Sequence, residues 1–95
     1  MGALVLNLKK GQDFYIINAG EKIRVSVDRI DGPVKFRLLV EKGFNHLFKI
    51  DDRHSEEIHK NVRVSAGIGR QDMAKVTIMA PANVQIVRGS LLKDK

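Results

Sequence analysis

The sequence predicts a mostly β chain, on three observations. Apolar residues recur at every second position through most of its length. Gly, Pro, Asn and Asp cluster between the alternating runs, and only one short internal segment carries helix-like end signals. The expectation is seven or eight short strands with almost no helix.

Leu4, Leu6 and Leu8 fall on one side of a first strand, with Val5, Asn7 and Lys9 on the other. Lys10-Gly11-Gln12-Asp13 punctuates it as a turn, and residues 14–17, FYII, form a short apolar strand ending at Asn18-Ala19-Gly20. Ile23, Val25 and Val27 alternate with Arg24, Ser26 and Asp28, and Val34, Phe36, Leu38 and Val40 repeat the pattern after an Asp31-Gly32-Pro33 turn. Gly43-Phe44-Asn45 reads as a hairpin turn leading into residues 47–50. Residues 51–60, DDRHSEEIHK, place acids first and His59-Lys60 last, as a helix dipole prefers, with Asp52 or Ser55 as the cap. A helical turn is therefore expected there, dependent on packing because it is so short. Strand patterning returns at Val62, Val64 and Ala66, pauses in GIGRQD, and resumes at Val76 and Ile78.

The stretch KVTIMAPANVQIVRGS, residues 75–90, holds two strands around a corner. Pro81 lacks an N–H and pushes Ala80 towards extended backbone, so one strand ends there and the next starts almost at once. On that last strand Val84, Ile86 and Arg88 share a face, opposite Asn83, Gln85 and Val87. From these residues alone the face is either a half-buried edge whose arginine reaches water or a surface that meets RNA. One near-repeat also stands out: KIRVSV (22–27) and NVRVSA (61–66). Alternating β sequences often coincide over five residues, so duplication is the less favoured explanation.

Ninety-five residues make one domain with a modest core. No run approaches the roughly 18 apolar residues of a membrane span, and no basic segment precedes the short apolar run of MGALVLNLKK, so neither a span nor a secretion signal is expected. The absence of cysteine excludes disulfides, thiolate metal sites and thiol catalysis, and suits the reducing cytoplasm expected as the location. The net charge of +6 favours a polyanionic partner. Residues 31–60 carry six basic and six acidic side chains, so the whole excess lies in the two ends.

Other constellations are weaker. His46, His54 and His59 with Asp51, Asp52, Glu56 and Glu57 supply ligand types, but no two histidines share a helical turn, and a solvated acidic turn is the simpler reading. No Gly-rich phosphate loop precedes a helix, and GIGR at 67–70 is a strand connection. No cofactor, metal or enzymatic activity is expected. Phe44, Leu47 and Phe48 are either core or an exposed apolar tip that recruits a protein.

Three pieces, ALVLNLKKG (3–11), FYIINAGEKIRVSV (14–27) and KVTIMAPANVQIVRGSLL (75–92), resemble the CsrA/RsmA carbon-storage regulators. Ala-Pro followed by alternating apolar residues and an arginine is the most specific element. The resemblance implies a small five-stranded β protomer, an interlocked homodimer, and binding of GGA-type loops in mRNA leaders or of small regulatory RNAs. It also implies an RNA surface pairing the first strand of one protomer with the last of the other. Carried over by position, the contacts are Leu6, Asn7, Lys9 and Lys10 on the first strand and Val84, Ile86 and Arg88 on the last. Where the family has two adjacent arginines, this chain has Leu8 and Lys9, or Lys9 and Lys10 after a one-residue slip. Against that pattern residues 31–70, approximately, read as an insertion: a β-hairpin and a helical turn within the single domain. The alternative reading is a protein-interaction or decoy module, with RNA binding weakened and the insertion as its partner surface.

Overall fold

The computed structural model describes Gly2–Leu92, with side chains described for residues 3–90. It holds nine strands: β1 (Gly2–Leu8), β2 (Asp13–Asn18), β3 (Glu21–Gly32), β4 (Lys35–Lys42), β5 (Phe44–Asp51), β6 (Glu56–His59), β7 (Val62–Ala66), β8 (Ala74–Ala80) and β9 (Gln85–Arg88). One helical turn, α1 (Gly89–Leu92), follows. None of the described helices is long and apolar enough to cross a membrane.

The strands form two antiparallel sheets, one in the order β1-β8-β7-β6 and the other β5-β4-β3-β2-β9. The alternation dictates what each sheet buries. Leu6, Leu8, Val62, Val64, Val76 and Ile78 from the first sheet join Phe14, Ile16, Ile23, Val25, Val27, Phe36, Leu38, Val40 and Ile50 from the second in one apolar core. At about 25 cal/mol per Å² of apolar surface, this shared core is the main favourable term in folding.

The topology repeats. β2-β3-β4 and β6-β7-β8 are both antiparallel meanders, and KIRVSV and NVRVSA are their middle strands. Ile23 and Val25 are fully buried, as are Val62 and Val64. The flanking strands repeat too, but exchanged between the sheets. Leu4, Leu6 and Leu8 of β1 pair with Ile78, Val76 and Ala74 of β8, while His46, Phe48 and Ile50 of β5 pair with Val40, Leu38 and Phe36 of β4. Thus β1–β4 and β5–β8 are two copies of one four-strand unit, each lending its first strand to the other's sheet. β9 is the one strand outside this symmetry, lying on β2.

Two expectations are corrected here. The 31–70 segment, expected as a β-hairpin and a helical turn, instead supplies the four strands β4 to β7 and so helps to build both sheets. Residues 51–60 contain no helix. Asp51 Oδ1 accepts the N–H groups of Arg53 at 3.0 Å and His54 at 3.1 Å, forming a tight turn, and β6 follows. The single apolar residue of that segment, Ile58, is fully buried on β6, and one anchor cannot hold a short helix against a core.

Candidate nucleic-acid interface

β1 and β9 belong to different sheets, yet their edges meet. β1 is held by β8, and the turn after it is pinned by Lys9 N–H donating to Gln12 Oε1 (2.8 Å) and Gly11 N–H donating to the Val27 carbonyl (2.9 Å). β9 leaves β8 through the Pro81 corner, where Val84 N–H donates to the Pro81 carbonyl at 3.0 Å, and crosses to β2. Phe14 pairs with Arg88 and Ile16 with Ile86, fixing the register. Arg88 Nη1 then reaches across the seam and donates to the Asn7 carbonyl oxygen at 3.3 Å.

Two clefts open along the seam, one lined mainly by polar residues and the other by apolar ones. A polar cleft of about 180 Å³ is lined by Leu8, Gly11, Gln12, Asp13, Arg88 and Ser90. Towards the corner, an apolar cleft of about 260 Å³ lies between Ala3, Leu4, Pro81, Ala82, Val84 and Ile86. Lys9 and Lys10 are exposed at the turn beside the polar cleft. Lys75 pairs with Asn7 across β1 and β8 and so shares its outward side. Neither Arg88 nor any of these three lysines forms an ion pair with another described residue.

The residues expected at the site divide accordingly. Asn7 and Arg88 meet at the seam, and Lys9 and Lys10 lie exposed on the turn that adjoins it. Leu6 does not: at 7% exposure it points into the core with Leu8, as the Leu4-Leu6-Leu8 alternation requires. Val84 is also buried, at 9%, and Ile86 is half-buried against the core, so Val84 walls the apolar cleft rather than presenting a free face. Lys75 is the residue that sequence reasoning missed. Only the β1–β8 register places it beside Asn7, and no local pattern encodes that pairing.

Below the polar cleft sits an electrostatic anchor. Arg24 Nε donates to Asp13 Oδ2 and Nη1 to Glu41 Oε2, both at 2.6 Å. The hydrogen bond to Asp13, then that to Glu41, raises the guanidinium pKa above its ordinary value. Asp13 is almost fully buried, and a Cβ at position 89 would overlap its carboxylate, so Gly89 is what lets β9 turn into α1 at this spot.

The apolar residues of the 44–48 segment also divide. Phe48 packs against the core, while Phe44 and Leu47 are 70% and 55% exposed. Comparison of the chain with family models, curated proteins and solved structures gives no match.

Proposed function

We propose that this chain is an RNA-binding post-transcriptional regulator of the CsrA/RsmA type, reading GGA-type loops in mRNA leaders or small regulatory RNAs through the β1–β9 seam. The observation that carries this reading is the contact between first and last strands, where Arg88 joins Asn7 and the neighbouring cations have no acidic partner among the described residues. A loop exposes base edges and faces that such a strand edge reads directly. Arg88 retains free donors for a guanine edge or a phosphate, and Lys9, Lys10 and Lys75 supply point charges along the backbone. The polar cleft beside Gly11 and the apolar cleft beside Pro81 give two differently lined recesses for unstacked bases. The experiment is titration of a GGA-loop hairpin and a scrambled-loop control at two salt concentrations. Tight, loop-dependent binding supports the reading. Equal, weak binding that collapses with salt would mean that the +6 charge acts without specificity.

A second reading, a protein-interaction module, is favoured by the exposed Phe44 and Leu47 on β5. Because β4 and β5 are integral to the second sheet, this reading is tested by point substitution rather than deletion. Phe44→Ser with Leu47→Ser leaves RNA binding intact if the seam is the working surface.

A further inference from the structure

The repeat has a consequence for the number of sites. In a protein built from exchanged strands, a seam needs a first strand and a last strand arriving from opposite sheets. Here both arrive from one chain. β1 fills the place on β8, β9 fills the place on β2, and Arg88 closes the gap to Asn7.

The symmetry-related seam is not built. β5 takes the place on β4 that β1 takes on β8, so the counterpart of Asn7 is Lys49. The counterpart of β9 would lie on β6, but β6 is the end of its sheet among the described residues. The reason is local: after β8 the chain turns away at Pro81, whereas after β4 it folds straight back at Gly43, φ +84°, and pairs with β4 itself. Among the described residues no counterpart of β9, and so no counterpart of Arg88, therefore reaches Lys49, whose neighbour across β4 is Arg37. The β6 edge is instead approached by Lys42 Nζ, 3.4 Å from the Ile58 carbonyl, and by Glu21, 3.7 Å from His59 Nε2.

We propose that each chain carries one complete RNA site, formed without a second copy, and binds one loop. This rests on the RNA-binding reading above and deepens it. A protein with two equivalent seams tethers two loops of one transcript and gains affinity from the linkage. A single-seam chain has no such gain, so an RNA with two loops takes up two chains independently.

The absence of native cysteine allows a direct test of the connectivity. The variant carrying both Asn7→Cys and Arg88→Cys is treated with a short bis-maleimide and run under denaturing conditions. A monomer with altered mobility supports the proposal; a linked dimer, or no linkage, overturns it. In parallel, the unmodified chain is titrated with a single-loop hairpin and with a two-loop RNA. One hairpin per chain, with no affinity gain for the second loop, is expected, and one hairpin per two chains would overturn the proposal. Mixing Arg88→Ala chains with Lys9→Ala/Lys10→Ala chains should not restore binding, because no seam is shared between copies; restoration also overturns it. Intrachain linkage with no binding of either RNA would sink the RNA reading alone and leave the one-chain seam standing.

Discussion

Arg24 and Arg63 occupy the same position in the two repeats, but their surroundings differ. Arg24 is clamped between Asp13 and Glu41 at 2.6 Å each, and Asp13 is 5% exposed. Arg63 is half-exposed, bonds Ser55, and stands 3.7 Å from an equally exposed Glu57. The repeat that supports the β9 crossing has a part-buried ion pair beneath it, with Asp13 as its buried member, and the other has a surface pair.

Arg24→Ala is expected to destabilise the fold by about 2 kcal/mol, since it strands the Asp13 carboxylate; the figure is set below the usual range for a buried pair because Arg24 is partly in solvent. Arg63→Ala is expected to change stability by no more than about 0.5 kcal/mol. Urea denaturation of both variants measures the difference, and equal costs would show that the Asp13 pair carries no special weight.

Gly89→Ala pushes a methyl group into the Asp13 carboxylate and is expected to cost about 1–3 kcal/mol. The two sites share the same atoms, so the loss is not additive with Asp13→Ala. A double-mutant cycle checks this, and a coupling below about 0.5 kcal/mol would mean that α1 shifts freely.

Leu6 and Asn7 are neighbours with opposite roles. Leu6→Ala is expected to cost about 2–4 kcal/mol of stability while leaving RNA affinity per folded molecule unchanged. Arg88→Ala is expected to leave stability nearly unchanged and to lose about 1–3 kcal/mol of loop affinity. Thermal melts beside RNA titrations separate the two effects. A stable Leu6→Ala variant that loses loop affinity would return Leu6 to the binding surface.

Asp51 holds a carboxyl pKa below its ordinary value, chiefly through the Arg53 N–H and then the His54 N–H. A group lowered in the folded state contributes stability above the unfolded pKa and loses it as pH falls through the folded value. The turn between β5 and β6 should therefore loosen only in acid, below the ordinary carboxylate range. Carboxyl chemical shifts followed through an acid titration should give Asp51 a midpoint below that of an ordinary aspartate, and Asp51→Asn should abolish that transition.

The strands were legible wherever one face is buried, because Leu4-Leu6-Leu8 and Ile23-Val25-Val27 state their alternation outright. The alternation grouped Leu6 with Leu4 and Leu8 on one side of the strand without saying which side is buried, and the family resemblance assigned Leu6 to the RNA surface, whereas the structure buries it. The turn and strand at 51–60 were hidden because acids followed by His59-Lys60 satisfy a helix dipole and an Asx turn equally well. The repeated strand arrangement was hidden because β-sheet partners are set by long-range register: nothing in KIRVSV or NVRVSA says that β1 crosses to β8 and β5 to β4. The resemblance implied a first strand beside a last strand, with Arg88 and the lysines as its chemistry, but between two protomers; that both strands come from one chain was not legible, because it depends on the long-range pairings β1–β8 and β2–β9.

The crossing of β1 and β5 also governs how the molecule comes into being. Gly2 must wait for Ala80 before its strand has a partner, so the first strand leaves the ribosome long before its sheet exists. Neither four-strand half can close by itself, and the β1–β8 and β2–β9 pairings join strands from opposite ends of the described chain, so these late, long-range closures are expected to slow folding. Until β8 emerges, the Leu4-Leu6-Leu8 face is bare, and a chain truncated before Ala74 exposes that strand as a template for aggregation.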